Sequence, residues 1–295
     1  MPTIQNPVAV NVEKILLATD FSSSSERAAA YTRALARRFQ STVEIAHIFN
    51  PSGVCSCEVA AFQSPAPIME EITQDAFEEL RGSFVRSGVK AATVTYAGHS
   101  PASDLLQIAK RDKVDLIVAG TASHTGFGRV LLGSTAEGLI RNAPCPVVTI
   151  GPNVVIPKDK PLVFQRIIYA TDFSATAAKA AAFALSFAED SGARLYLCYV
   201  QSVTPTNPDA RHVAEGAFKT ALSQLIPDSS YDWCNPEFVV EHGDAATEIL
   251  RLAETVKADL IVLGAHKASF WMPHFEGGVT PSLIAQARCP VMTIC

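Results

Sequence analysis

The chain has 295 residues, a formal net charge of −5 and 48% apolar residues. Its length suggests two domains of ordinary size, and its apolar fraction excludes general disorder. The scattered lysines and arginines disfavour nucleic-acid binding, no apolar run is long enough to span a membrane, and the start of the chain lacks the pattern of a signal peptide.

The first half of the chain alternates strand and helix patterns. An apolar run at 15–18 predicts a buried strand that ends at Thr19-Asp20. A capping box at 23–26 predicts a helix to about residue 39. The remaining elements follow in order: a strand at 43–49, a helix at 69–86 stopped by Gly88, a strand at 92–96, a helix at 101–111, a strand at 114–119, a 13-residue loop, a helix from about 134 and a strand at 147–150.

Three segments of the sequence occur twice, in the same order in both halves. They are KILLATDFS at 14–22 and RIIYATDFS at 166–174, DLIVAG at 115–120 and DLIVLG at 259–264, and APCPVVTI at 143–150 and ARCPVMTI at 287–294. The first recurs after 152 residues and the other two after 144, so the second copy is 8 residues shorter between its first and fourth strands. We therefore predict a first domain at 1–152, a linker with extended character at 153–161 and a second domain at 162–295.

This alternation predicts an α/β fold of two tandem doubly wound domains, each with a five-stranded parallel sheet and helices on both faces. Ligands of such sheets bind beyond the carboxyl ends of the strands, where the strand order reverses. If the first and fourth strands are neighbours, Asp20 and Gly120 face one crevice. The strands of the second copy are expected near 167–170, 194–200, 237–241, 259–263 and 291–294.

A glycine-rich loop, GTASHTGFGRVLLGST at 120–135, leads from the fourth strand into a helix. Its glycines allow positive φ and close backbone approach, and the start of the helix can hold phosphate with its free N–H groups and its dipole. Ser134 and Thr135 can add hydrogen bonds, and Arg129 can add positive charge. The spacing matches neither a Walker loop nor the dinucleotide fingerprint. On spacing alone, a flexible surface loop with a serine helix cap explains the segment equally well.

The motifs ATDFS, DLIVAG and LLGSTAEGLIRNAPCPV make the first copy similar to the universal stress protein family, and the resemblance covers the whole of each copy. It implies an adenine nucleotide α-hydrolase-like fold and the ATP-loop pattern G-x-x-G-x9-G-[S/T]. Gly120 takes the first position and Gly133-Ser134 the last pair, whereas Ser123 stands where the second glycine belongs. A serine side chain there either forces a different loop path or donates to phosphate itself.

The resemblance also implies a ligand and its contacts. The ligand is ATP, with Mg as a companion ion. Asp20 would contact the adenosine part, with backbone groups near Ala18, Thr19 and Ile48 fixing the base. The residues that would surround the ribose and phosphates are Gly120, Ser123, Arg129, Gly133, Ser134 and Thr135.

The second copy departs further from the family pattern, with the loop GAHKASFWMPHFEGG at 264–278. Lys267 replaces the second glycine and Gly278 replaces the serine, so we predict a degenerate site. The alternative is that Lys267 and the aromatic residues form a different ligand pocket or a lid. The residues of this second candidate site are Asp172, Gly264, Lys267, Gly277 and Gly278.

Other residues with metal or redox chemistry have ordinary explanations. They are Cys55, Cys57, His47, His124, His266, His274 and Glu276. The two cysteines lack the common CxxC spacing and no second Cys/His pair follows, which favours an ordinary loop. His47 is expected to be a packed or hydrogen-bonded core histidine, His124 either touches phosphate or is exposed, and the other three favour solvated loop positions.

The sequence therefore predicts a stress-response protein that binds adenine nucleotide in the first domain, with a regulatory rather than catalytic role. One alternative is a weak ATP hydrolase, for which Asp20 is the one candidate base or metal ligand in the sequence. The other is a ligand-free scaffold with decayed sites. The last strands, 147–150 and 291–294, are expected at sheet edges, so that the two domains dock through them, with a homodimer through edge strands as a further expectation. Seven cysteines, an odd number, fit reduced thiols in a cytoplasm.

Overall fold

A computed structural model of the chain describes residues 11–49, 66–121, 124–126, 129–157, 161–203, 206–265 and 278–295. The strands are β1 Lys14–Ala18, β2 Thr42–Phe49, β3 Ala91–Ala97, β4 Leu116–Gly120, β5 His124–Gly126, β6 Arg129–Leu131, β7 Val147–Ile150, β8 Arg166–Ala170, β9 Arg194–Gln201, β10 Glu237–His242, β11 Leu260–Gly264 and β12 Val291–Ile294. The helices are α1 Ser23–Phe39, α2 Ala66–Arg86, α3 Pro101–Arg111, α4 Ser134–Asn142, α5 Ala175–Ser191, α6 Pro208–Ser223, α7 Ala245–Val256 and α8 Val279–Gln286, with a 3-10 helix at Asp228–Asp232.

Ten of these strands form one sheet, in the order β10-β9-β8-β11-β12-β7-β4-β1-β2-β3. All pairs within each half are parallel, whereas β7 and β12 pair antiparallel. Two five-stranded parallel sheets are thus joined edge to edge, which confirms the predicted fold class and the predicted docking of the last strands. Because β7 and β12 cover each other, a homodimer through sheet edges would have to use β3 or β10.

The start of α1 differs from the predicted capping box. Ser22 is the N-cap, and its hydroxyl oxygen accepts from the Ser25 amide at 3.4 Å, so Glu26 lies one position too far along to complete the box. The prediction was wrong by one residue because four consecutive serines offer the same cap in the sequence. Gly88, the predicted stop of the second helix, does have a positive φ of 80°, and Gly192 at the end of α5 has a φ of 60°.

The predicted 13-residue loop after β4 also needs a correction. It contains the two short antiparallel strands β5 and β6, in which His124 pairs with Leu131 and Gly126 with Arg129. Strands of three residues are too short to show an alternating pattern, so no periodicity predicts them.

The two halves share their apolar core across the β7–β12 pair. In that ladder Val147 lies opposite Thr293 and Val148 lies opposite Met292, and all four residues are buried. One apolar cluster contains residues from both halves, including Val148, Met292 and Phe164. Burial of such a shared core is the main favourable contribution to holding the halves together.

The segment that follows β7 is fixed to the second half of the chain. The side-chain amide of Asn153 donates to the Ala285 carbonyl oxygen at 2.9 Å, and the Val155 amide donates to the Arg288 carbonyl oxygen at 3.0 Å. Val154, between them, is buried. The first part of the predicted linker is therefore packed against the second half, although the exact domain boundaries stay a prediction.

Backbones of the two halves approach closely at Gly151. A Cβ at that position would overlap the carbonyl oxygen of Ile284. In the related contact on the other side of the β7–β12 pair, the thiol of Cys295 lies 2.8 Å from the carbonyl oxygen of Ile140. Only a glycine fits the first of these contacts without a shift of α8.

Arg38, near the end of α1, links the two halves through polar contacts. Its guanidinium forms an ion pair with Asp190 at 2.6 Å and donates to the Ser191 hydroxyl at 2.9 Å. It also donates to the Leu162 carbonyl oxygen at 3.3 Å. The exposed Asp190 contributes little by charge alone, but the several acceptors fix the end of α1 against the end of α5.

The cysteines that the structure describes are free thiols, at Cys145, Cys198, Cys234, Cys289 and Cys295. Burial is the main cause that raises the pKa of Cys145, Cys198 and Cys289 to about 12. These three thiols stay protonated near neutral pH and are poor nucleophiles. Within the described ranges, no helix combines the length and the apolar composition needed to cross a bilayer.

Glu44 of β2 makes stability depend on pH. Burial raises its pKa, and so does the neighbouring Asp112, whose carboxylate accepts a hydrogen bond from the protonated Glu44, while Lys14 and Arg111 act in the opposite direction. A folded-state pKa above the unfolded value means that the stabilisation is complete below the unfolded pKa and is lost as pH rises through the folded pKa. We expect Glu44→Gln to raise Tm at pH 7.5 and to change it less at pH 4.5, measured by thermal unfolding. The matched control is the exposed Glu79→Gln, and an equal effect of both changes at pH 7.5 would contradict the assignment.

Candidate functional site

The strand order of the first half reverses between β1 and β4. These strands are parallel neighbours, with Ala18 opposite Ala119, while the chain continues to β2 on one side and to β7 on the other. The prediction that the first and fourth strands are neighbours is thus confirmed. Asp20 follows the carboxyl end of β1 and Gly120 ends β4, so both lie at the switch point where doubly wound sheets bind ligands.

Asp20 is an exposed carboxylate held in place by the start of α1. Its Oδ1 accepts from the hydroxyls of Ser22 and Ser25, each at 2.5 Å, and from the Ser22 amide at 3.0 Å. Partial burial raises the pKa of Asp20, but the hydrogen bonds from Ser22 and Ser25 together lower it by more, so the net pKa lies below its ordinary value. Asp20 is therefore a fixed negative charge at neutral pH. The sequence interpretation placed Ser25 in a capping box and gave Ser22 no role, so it missed the support that both serines give to Asp20.

Gly120 is required by packing against α1. A Cβ at this position would overlap the carbonyl oxygen of Ser24, and Gly264 makes the corresponding approach to α5, where a Cβ would lie 2.5 Å from the Ala177 amide nitrogen. Gly120 and Gly133 do not have positive φ, so the expectation that these loop glycines serve left-handed backbone was wrong for both. The close approach that the sequence predicted does exist at Gly120, but it is to a helix of the same domain.

The end of β1 exposes one edge of β2. The Thr19 amide makes the last ladder hydrogen bond, to the Ala46 carbonyl oxygen at 2.9 Å. Because backbone groups alternate along a strand, the N–H and C=O of Ile48 face the same side as those of Ala46, but beyond the point where β1 has ended. The Nδ1 of His47 lies 2.9 Å from the Thr19 carbonyl oxygen, which confirms the expected hydrogen bond, although His47 is half-buried and not part of the core.

The start of α4 offers backbone donors without a side-chain cap. Gly133 is the N-cap, with φ −61° and ψ 143°, and no side chain there hydrogen-bonds to the first amides of the helix. Ser134 begins the helix and is exposed, and Thr135 is half-buried. Free amides and the positive end of the helix dipole are suited to an anion. Arg129 begins β6, and Ser123 lies outside the described residues.

The corresponding site of the second half lacks one support. Asp172 Oδ1 accepts from the Ser174 amide at 2.9 Å, but Ala177 occupies the position of Ser25 and has no hydroxyl to donate. Gly278 is the N-cap of α8, again without a side-chain cap. The remaining predicted members, Lys267 and Gly277, lie outside the described residues, as do Cys55, Cys57, His266, His274 and Glu276.

Each half has an aromatic cluster behind its aspartate. In the first half the ring of Phe21 lies 4.9 Å from that of His47 and 5.1 Å from that of Phe77. Phe21 has a φ of 59°, a strained value for a non-glycine residue, and this turns the chain from β1 into α1. The repeated TDF motif carries this turn, so the signal was present in the sequence but its conformation was not apparent. The second-half cluster consists of Phe173, Tyr199 and Phe218.

The family model described as the universal stress protein family matches residues 11–151 and 164–294. The chain belongs to the universal stress protein family, as two domains in tandem. Among curated family members, one from Methanocaldococcus jannaschii is 32% identical over 139 residues, which cover 47% of this chain and 81% of that protein. A second, from Bacillus subtilis, is 28% identical over 145 residues, which cover 46% of this chain and 97% of that protein.

One solved structure of the family agrees with the fold over nearly the whole chain. A universal stress protein from Archaeoglobus fulgidus covers 96% of this chain and 96% of its own, with a TM-score of 0.75 and 20% identity. Another universal stress protein, solved in complex with cAMP, is 22% identical and covers 48% of this chain with a TM-score of 0.37. In the part of the chain that the structure describes, no three His, Cys, Asp or Glu side chains are grouped as metal ligands.

Proposed function

We propose that this universal stress protein binds an adenine nucleotide, ATP, in its first domain and uses it as a regulatory ligand. The observation that carries the proposal is the state of Asp20, a charged carboxylate fixed by two serine hydroxyls at the switch point. The ribose hydroxyls of a nucleotide are natural donors to such a carboxylate, because a charge-assisted hydrogen bond is stronger than a neutral one.

The base and the phosphates have complementary groups nearby. The backbone near Ala18, Thr19 and Ile48 supports recognition of adenine. The β2 ladder indicates that the N–H and C=O of Ile48 face the side where β1 has ended, so they can pair with the base. The uncapped amides at Gly133 support the phosphates, with Ser134, Thr135, Arg129 and Ser123 as further contacts. A Mg ion would be held by the phosphates themselves, because Asp20 is the one carboxylate that we assign here and its Oδ1 is already engaged.

A regulatory role is favoured over ATP hydrolysis. Catalysis of hydrolysis needs a positioned base or metal ligands beside the reacting phosphate. Asp20 is tied to the start of α1 and its lowered pKa makes it a weak base. In our proposal, ATP orders the segment between β4 and α4 and thereby biases association with a stress-response partner, while the free thiols fit the reducing cytoplasm.

The second domain is proposed to serve as a partner domain with a degenerate site. Asp172 has no equivalent of the Ser25 hydroxyl, and Val279 directly follows the N-cap Gly278 where Ser134 follows Gly133 in the first domain. The rival for the whole chain is a ligand-free scaffold in which both sites have decayed.

The test compares the two aspartates. We expect Asp20→Asn to weaken ATP binding by roughly tenfold or more, because a charge-assisted hydrogen bond is lost, and Asp172→Asn to leave it within about twofold. Isothermal titration calorimetry with ATP and Mg measures both, and both variants keep the side-chain volume. Absence of ATP binding to the unchanged chain at millimolar concentration would favour the scaffold. Steady ATP turnover that disappears in Asp20→Asn would favour the hydrolase.

A further inference from the structure

A cavity of about 680 Å³ lies beside the second half of α1, remote from the candidate nucleotide site. Its volume falls in the range of small-molecule sites. It lies where the first domain meets the segment that leads into β8. The residues that line it are Ala30, Arg33, Ala34, Arg37, Arg38, Ser87, Pro157, Pro161, Leu162 and Val163.

One face of α1 forms the floor of this cavity. Ala30 and Ala34 are one helical turn apart, as are Arg33 and Arg37, so the four side chains share one face. The small alanine side chains leave the cavity open, and the guanidiniums of Arg33 and Arg37 line it. Positions 33 and 37 of this face both carry arginine, so the face is positively charged where a neutral polar residue would also have suited a surface helix.

Arg33 is held in the cavity wall together with a second positive charge. Its NH1 donates to the Ser83 hydroxyl at 3.1 Å, and its guanidinium lies 5.4 Å from the centroid of the Phe84 ring. The Arg86 side chain folds back along α2 over Gly82. Its NH1 lies 3.0 Å from the position that a Cβ on Gly82 would take. Burial, and then the charge of Arg86, lower the pKa of Arg33. The positive charges of Arg33 and Arg86 therefore lie close together beside the last turns of α2.

Over the ranges that the structure describes, no ion pair involves Arg33, Arg37 or Arg86. By contrast, Arg81 on the same helix as Arg86 pairs with Glu78 at 2.8 Å. Arg33 is partly buried, and a guanidinium in that position gains most from an anion that accepts its hydrogen bonds, while the exposed Arg37 adds a second charge beside it.

Part of the cavity lining is apolar. Pro157, Pro161, Leu162 and Val163 supply it, and Val163 is an exposed apolar side chain. An inorganic anion would leave this wall in water, whereas an organic anion would cover it. The combination of a forked cationic side and an apolar side is typical of sites for small organic phosphates.

We propose that this cavity binds a small organic phosphate, with the phosphate group held by Arg33 and Arg37 and its apolar part packed on Leu162 and Val163. Arg38 supports the arrangement, because it hydrogen-bonds to the Leu162 carbonyl oxygen and so holds the apolar wall next to α1. A ligand here would contact both the first domain and the segment before β8. This proposal does not depend on nucleotide binding at Asp20.

The test uses phenyl phosphate, which has a phosphate dianion and an apolar ring, and measures binding to the full chain by isothermal titration calorimetry. We expect Arg37→Gln to weaken binding roughly tenfold or more, because a charge-assisted contact is lost. Arg37 is exposed, so the substitution does not threaten the fold. The matched control is Arg81→Gln on α2, which is expected to bind phenyl phosphate within about twofold of the unchanged chain.

Inorganic phosphate is the second probe, and we expect it to bind more weakly than phenyl phosphate. Equal affinity for the two probes would overturn the assignment to an organic ligand. No binding of phenyl phosphate to the unchanged chain at about 10 mM, or the same loss in Arg81→Gln as in Arg37→Gln, would overturn the site itself.

Discussion

Gly151→Ala is expected to lower the free energy of unfolding of the whole chain by about 1–3 kcal/mol, and Tm by roughly 3–10 °C. The added Cβ would overlap the carbonyl oxygen of Ile284, and a backbone atom cannot move aside as a flexible side chain does. Relief requires α8 to shift away from the first domain. That shift would strain the buried β7–β12 ladder next to it, so the cost falls on the interface between the halves.

Thermal and urea unfolding followed by circular dichroism measure this effect. Gly216→Ala is the matched control, because Gly216 lies exposed within α6 and no atom lies within 4 Å of the Cβ that would be added. Alanine in a helix interior is expected to stabilise by about 0.5–1 kcal/mol relative to glycine. If Gly151→Ala unfolds at the same temperature as the unchanged chain, the interface is not closely packed at this point.

The second large effect is expected from Gly120→Ala, which should reduce both stability and ATP binding. The new Cβ would overlap the Ser24 carbonyl oxygen and displace the start of α1. Ser22 and Ser25 would move with it and would no longer hold Asp20 in place. We expect a loss of about 1–3 kcal/mol of stability from the overlap.

Gly133→Ala serves as the comparison in the same loop. Nothing lies within 4 Å of its added Cβ and a φ of −61° suits any residue, so the chain should lose no more than about 1 kcal/mol, the ordinary cost of alanine at an N-cap. Urea unfolding and calorimetric titration with ATP report the two properties separately. A Gly120→Ala chain with unchanged stability and ATP affinity would show that the contact with α1 is not needed for the site.

Much of the fold could be predicted because the same motifs occur twice. The repeated motifs, in the same order at offsets of 152 and 144 residues, predicted the five strands of each parallel sheet, and they placed Asp20 directly after the first strand. The short strands β5 and β6 could not be predicted, because three residues do not establish an alternation. The cap of α1 was misplaced by one residue, since the choice among adjacent serines depends on backbone geometry that the sequence does not display.

The roles of individual motif residues were harder to predict than their positions. Gly120 matched a phosphate-loop pattern, yet its lack of a side chain is explained by contact with α1. Asp115, in the DLIVAG motif, accepts from the amides of Glu13 and Lys14 at 3.0 and 2.9 Å, and so fixes the start of β1. Asp259 does the same for β8 in the second copy. These contacts connect residues that are distant in sequence, so a local motif cannot reveal them.

The antiparallel pairing of β7 with β12 has a consequence for how the two copies can diverge. When two such units are separate chains, their association depends on concentration, and each chain must keep every feature needed by both. In a fused chain the partner is always present at a high effective concentration and in a one-to-one ratio. One copy can then lose its ligand without losing its place in the sheet. Such a division between ligand binding and structural support would preserve strands β11 and β12 and let the loop between them change. The second copy has this combination.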